Sequence, residues 1–235
     1  MARWTRAVRR FRDESGMSLP EVMVVIAVLG VVMIFSLTSV ATFERATTGE
    51  IRRLENLDEA RVLMQVVTKD VRTAVRLSSS TSPFIKADDN EVQFYANLNL
   101  TTSCPKIVRI HVDVSVRLIE SVWEPTSGTP PTCTYSGNPM GTPPTGATDT
   151  RLVGRYVANT TSEPIFTYYY DNAGVLTAFT TTDTPLSAAN SFLVTSVQIR
   201  LSIRKDTLQS VDRTTIVNKV RLPNVYYNPE ESPSP

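Results

Sequence analysis

The run from Val22 to Ala41 constrains this chain more than any other stretch. It holds 20 residues without a charge. As a helix rising about 1.5 Å per residue it spans roughly 30 Å, the hydrocarbon thickness of a bilayer. A helix is also the form in which such a run satisfies its own backbone polar groups in lipid. Glu21 stands at the mouth of the run, with Met17 and Leu19 before it. A carboxylate in that place is costly and points to a function with a partner.

The preceding segment supplies the partner. Residues 1–16 carry Arg3, Arg6, Arg9, Arg10 and Arg12, then Asp13 and Glu14, and end in Ser15-Gly16. A secretory signal peptide is cut after its apolar run, at a small-residue site. Here the break from polar to apolar falls before the run, at Gly16. Cleavage there keeps the apolar segment in the mature chain and exposes an ammonium on Met17, four residues from Glu21. Between stacked helices the carboxylate of one chain can pair with the amine of the next, which offsets desolvation and sets register. A plain signal-anchor with a glutamate near the lipid interface is the alternative.

The junction Gly16-Met17-Ser18-Leu19-Pro20-Glu21-Val22 and the run behind it resemble the N-terminus of type IV prepilins and of type II secretion pseudopilins. The resemblance implies that a prepilin peptidase cuts after Gly16, that Met17 is N-methylated, and that Glu21 is the assembly glutamate. Met17 stands where the family most often has Phe. Thr38 stands near the place where many major pilins carry a helix-breaking Pro, and Gly30 is the flexible point of the run. The implied partners are the peptidase, other pilin or pseudopilin subunits, an inner-membrane assembly platform, and lipid before assembly. The arginines on one side of the run place the N-terminus in the cytoplasm and the remainder outside. The expected location is a single-pass inner-membrane protein that becomes a cell-surface filament.

Lys and Arg total 24 against 23 Asp and Glu, so no global charge argues for nucleic acid. The expected division is a leader at 1–16, an assembly helix at 17–42, an amphipathic helix at 43–78, a β-rich domain at 79–226 and a disordered tail at 227–235. Ile51, Leu54, Leu57, Ala60, Met64, Val67, Val71 and Ala74 recur at three or four residues, with charges such as Glu50, Arg53, Asp58, Lys69 and Asp70 between them. That period reads as a helix continuous with the apolar run, ended by the Ser-rich stretch and Pro83.

From Phe84 the pattern turns to alternation. Glu91 to Tyr95 reads as a strand, and so does Lys106 to Val116, with Ile110, Val112, Val114 and Val116 toward the core. Arg117 to Glu124 reads as its partner strand or its extension. Residues 125–150 hold six of the 15 prolines and read as a long loop. Arg151 to Tyr156 reads as a short strand, Ile165 to Thr177 as two strands about a Gly turn, and Phe192–Ile203 and Thr214–Leu222 as long strands. Together these predict an α+β fold, a long N-terminal helix packed on a mostly antiparallel sheet. The spacing from Asp70-Val71-Arg72-Thr73-Ala74 to the Tyr-Tyr-Tyr hairpin and the last two strands also resembles the minor pilins akin to the secretion J component.

Other candidate sites are sparse. His111 is the only histidine, and on a strand beside Asp113 it reads as a surface residue rather than part of a triad. The expectation is therefore a non-enzymatic chain without cofactor or metal. Cys104 and Cys133 lack metal or redox spacing and read as a disulfide in an oxidising compartment. Asp88-Asp89-Asn90-Glu91 offers oxygen ligands for calcium but reads as a turn. Tyr168, Tyr169 and Tyr170 read as core and edge packing rather than a stacking surface. Arg200, Arg204, Lys205 and Arg213 allow DNA binding and read equally as charges on a solvated edge.

Overall fold

A computed structural model of the chain describes residues 18–98, 104–205 and 213–224. The first helix, α1, runs from Leu19 to Arg72 over 54 residues. Among the described residues eleven strands follow: β1 (Phe84–Ala87), β2 (Glu91–Ala96), β3 (Lys106–Val112), β4 (Leu118–Trp123), β5 (Pro125–Thr129), β6 (Thr132–Tyr135), β7 (Asp149–Gly154), β8 (Phe166–Asn172), β9 (Val175–Ala178), β10 (Val194–Ile203) and β11 (Thr214–Arg221). A short helix, α2 (Ala188–Leu193), precedes β10 and is capped by the Ser187 side chain, which accepts from Asn190 N. Every pairing among these strands is antiparallel. The α+β, pilin-like architecture expected of the sequence is what is found.

Two compact units divide the chain between Glu50 and Ile51, and α1 contributes to both. In the first, the large apolar side chains from Leu19 to Phe43 are exposed. The hydroxyls within this stretch turn back on the helix: Ser36, Thr38 and Thr42 donate to carbonyls four residues earlier, at 2.8–2.9 Å. No side-chain hydroxyl of these three then needs water, which suits an apolar medium.

In the second unit, α1 presents Ala60, Leu63, Met64, Val67 and Val71 to one core. A five-stranded sheet, β1-β2-β3-β4-β7, and a four-stranded sheet, β11-β10-β8-β9, supply the rest of that core. Phe84 meets Phe94 and Tyr168 edge-on at 6.3 and 5.8 Å. Gly154 is required where β7 passes α1, because a Cβ there would lie 2.1 Å from Leu63 Cδ2. A second cluster, Tyr95, Ile107 and Trp123, sits on the other face of the larger sheet.

Four sequence expectations need correction. The helix ends at Arg72, not at residue 78. Thr73 N and Oγ1 both donate to Asp70 O, and the sheet then captures the chain: Val75 N donates to Tyr95 O and Asn97 N to Thr73 O, both at 2.8 Å. The strand expected to reach Val116 ends at Val112, because Asp113 starts a hairpin, and Val114 and Val116 are exposed instead of buried. The long strand begins at Val194, since residues 188–193 form α2.

The Pro-rich stretch 125–150 is not a structureless loop. It forms the β5–β6 ribbon and the first residues of β7, pinned to the sheet by Trp123 Nε1 to Thr145 O (3.0 Å), Gln93 Nε2 to Pro139 O (2.8 Å) and Tyr135 Oη to Pro105 O (2.9 Å). The expected hairpin about Gly174 is present as β8–β9, and its turn has positive φ at Ala173 (+52°) and Gly174 (+86°). That is the type I′ geometry that matches strand twist. The tail at 227–235 lies outside the described residues.

Candidate functional site

Two places in the chain gather polar chemistry that its packing alone does not require. The first is the start of α1. Glu21 lies in the first helical turn, where its N–H and that of Val22 donate to Ser18 O at 2.9 and 3.2 Å. An anion there is favoured by the free N–H groups of the helix end. The carboxylate is exposed, at the head of an exposed apolar helix. Gly16 and Met17, the cleavage and methylation positions implied by the resemblance, lie outside the described residues. The helix is long and apolar enough to cross a membrane.

The second place was not foreseen. Asp70, in the last turn of α1, is 3% exposed, and Glu120 of β4 is 4% exposed. Arg151 of β7 donates to Glu120 Oε2 through Nε (2.9 Å) and Nη2 (2.6 Å), and its Nη2 stands 3.6 Å from Asp70 Oδ2. Two buried carboxylates thus share one guanidinium. Burial, the Glu120 charge and a hydrogen bond to Glu120 push the Asp70 carboxyl up to about 7, against the weaker pull of Arg151. Protonated Asp70 then donates to Glu120. The same Glu120 contact raises the Arg151 guanidinium above its ordinary value. The sequence period places Asp70 among the charges between the apolar positions of the helix, on the face turned to solvent or to neighbouring subunits. No local signal marks it, because its partners come from β4 and β7.

The remaining candidates are absorbed by neighbours. Cys104 and Cys133 are joined, with Cα atoms 5.9 Å apart, and tie β6 to the segment before β3. His111 Nδ1 is buried and makes no hydrogen bond among the described residues; burial and the Arg109 charge lower its pKa. The Asp113 carboxylate beside it is taken up by Arg117. Glu91 is held by Lys86 (2.8 Å) and Arg109 (2.7 Å). Burial pushes Glu91 up, but those two hydrogen bonds prevail and keep it below the usual carboxylate range. Asp88 lies 3.6 Å from Lys86, and Asp89 accepts from Thr184. Among the described residues no three acidic, histidine or cysteine side chains converge as metal ligands.

Tyr168 is buried in the core, Tyr170 packs on Phe179, and Tyr169 lies under Lys219 Nζ at 3.5 Å. Of the four cations on the supposed basic edge, Arg200 and Arg213 both contact Glu163 and Lys205 contacts Glu55. Arg204 is exposed.

Residues 11–37 match the model of the prokaryotic N-terminal methylation motif, the signature carried by type IV pilins and pseudopilins. No curated protein matches the chain. The motif and the apolar helix together describe a membrane-anchored, pilin- or pseudopilin-like subunit.

Proposed function

We propose that this chain is a structural, non-enzymatic, minor subunit of a type IV pilus-like filament, cleaved after Gly16, N-methylated at Met17 and assembled through its apolar helix. The observation that carries the reading is the methylation motif at 11–37, laid over the first half of α1, where Glu21 in the first turn is followed by the charge-free run from Val22 to Ala41. The chain enters the inner membrane with Met1 inside. The peptidase removes the basic leader, and the assembly platform draws the processed chain into a bundle of helices. In that bundle the Glu21 carboxylate neutralises the terminal amine of a neighbour. The pair replaces lost hydration with a charge-assisted hydrogen bond and admits one register only.

A pseudopilin of a type II secretion system uses the same processing and the same pair. Loss of surface filaments on deletion identifies the pilus role, and loss of protein export identifies the secretion role. Carboxylates of the same chain engage Arg200, Lys205 and Arg213, which argues against DNA capture by this edge of the β domain.

Mass spectrometry of the N-terminal peptide, from membranes and from sheared surface material, tests the reading. A chain beginning at N-methyl-Met17 is expected. A chain still beginning at Met1 or Ala2 in the presence of active peptidase refutes it.

A further inference from the structure

The end of the four-stranded sheet carries charge that its surroundings do not balance. Where β11 finishes beside the last turn of α1, a hollow of about 770 Å³ opens among Arg72, Lys219, Arg221, Leu222 and Pro223. Three of these five residues are cations and none is acidic. Backbone and core contacts fix the arrangement. Asn218 Nδ2 donates to Thr68 Oγ1 at 3.1 Å and holds β11 against α1; one helical turn on, Arg72 reaches the same hollow as Lys219. Leu222 is buried, and its N–H donates to Thr195 O at 3.0 Å, which pins the chain where it leaves the sheet.

Elsewhere in the β domain Lys106, Arg109, Arg117 and Arg151 each engage a carboxylate of the same chain. At the hollow the cations are left over. Among the described residues the Arg72 side chain makes no hydrogen bond or ion pair. Lys219 Nζ rests 3.5 Å from the centre of the Tyr169 ring and makes no salt bridge. The Tyr169 hydroxyl donates to Gln198 Oε1 at 3.1 Å, so the ring offers that ammonium a face but no oxygen. Like charges gathered around a concave surface raise the local attraction for an anion.

The chain itself carries an anion within reach. The described residues end at Asn224, directly after Pro223 on the wall of the hollow. In residues 225–235 the only charges are Glu230 and Glu231. Glu230 stands seven positions beyond Pro223, a span of at most ~25 Å. That is long enough to return to the hollow without displacing β11. Exposed ion pairs are individually weak and are screened by salt, so an untethered carboxylate would fill the hollow poorly. A carboxylate on a short linker arrives at an effective concentration in the millimolar range.

We propose that Glu230 and Glu231 fold back onto Arg72 and Lys219, so that the segment after Pro223 straps the end of β11 to the last turn of α1. Among the described strands β11 is an edge of its sheet, and the strap covers the end of that edge. The inference does not depend on the filament reading above. The tether favours this occupant over the same segment of a second copy and over free phosphate.

The test treats the full chain, in detergent micelles at low salt, with a water-soluble carbodiimide, which joins an ammonium to a touching carboxylate as an amide. Isotopically heavy and light chains are mixed equally, and chymotryptic peptides are sequenced by mass spectrometry. The expected product links Lys219 to Glu230 or Glu231 within one isotopic population, beside the Lys106–Glu124 amide that their 2.7 Å contact should give. The Lys106 product without the Lys219 product overturns the proposal. A Lys219 link of mixed isotopes assigns the hollow to a second copy and also overturns it. The joint variant Glu230→Gln, Glu231→Gln separates the strap from a bare basic hollow. Acetylation of Lys219, measured against Lys69, is expected to run severalfold faster in the variant than in the parent, and added inorganic phosphate is expected to slow it again in the variant alone. Equal rates in the two chains, or equal protection of both by phosphate, would show that the hollow is open to any anion and overturn the strap.

Discussion

Replacing Asp70 by asparagine should change how the stability of the β domain depends on pH. Asp70 is buried beside Glu120, and its carboxyl is pushed up to about 7. In the unfolded chain it has the ordinary aspartate value of about 3.9. Between those two values the folded state holds a proton that the unfolded state has lost. Stability therefore falls as pH rises from about 4 to about 7, and is flat above that window. About three pKa units at about 1.36 kcal/mol each set the size at about 4 kcal/mol. The half-exposed Arg151 can swing toward the ionised Asp70, so about 2–4 kcal/mol is the expected loss.

The side chain introduced by Asp70→Asn cannot ionise, and its amide replaces the carboxyl O–H as donor to Glu120. At pH 4 the variant should match the parent. At pH 8 it should be more stable by about 2–4 kcal/mol, a Tm gain of at least about 4 °C. Thermal or urea unfolding of the processed chain in detergent micelles, from pH 4 to 8.5, measures the difference curve and cancels the other titrating groups. Parallel curves, or a variant weakened equally at every pH, would refute the reasoning. Either result would mean that Arg151 serves both carboxylates and that Asp70 is ionised in the fold.

Other outcomes follow from single contacts. Glu21→Leu should be cleaved and retained in the membrane but recovered poorly in sheared filaments; normal yield would remove the register role of Glu21. Joint replacement of Cys104 and Cys133 by Ser opens a loop of 29 residues. It should lower unfolding free energy by about 3–4 kcal/mol on the loop-entropy relation, checked by urea denaturation without reductant. Gly154→Ala sets a methyl against Leu63, itself buried, and should cost about 1–3 kcal/mol in the same assay. An unchanged midpoint would show that α1 and β7 separate freely at that point.

Much of this protein was legible because its strongest signals are local. The charge-free run and the Gly16–Glu21 spacing are read from neighbouring residues, and a family motif at 11–37 covers the spacing and most of the run. Alternation at 91–95 and 214–221, and the Gly-containing turn after 166–172, mark strands by the same short-range rule. The errors fall where single side-chain contacts, local or distant, redirect the backbone. Alternation continues through Val114 and Val116, yet the Asp113 carboxylate turns the chain there without glycine or proline to announce it. The prolines of 125–150 read as loop, yet Trp123, Gln93 and Tyr135 hold that stretch against the sheet.

The sequence by itself determined that the chain is anchored by one apolar helix headed by a glutamate and followed by antiparallel strands. Periodicity and uninterrupted hydropathy suffice for that. Only the tertiary structure decided that the helix stops at Arg72, that Asp70 is sealed against Glu120 and Arg151, and that two valines are left at the tip of a strained turn. Each depends on residues far apart in the chain being brought together, or on a side chain being left without a neighbour. Burial and charge pairing of that kind exist only once the sheets have closed on the helix.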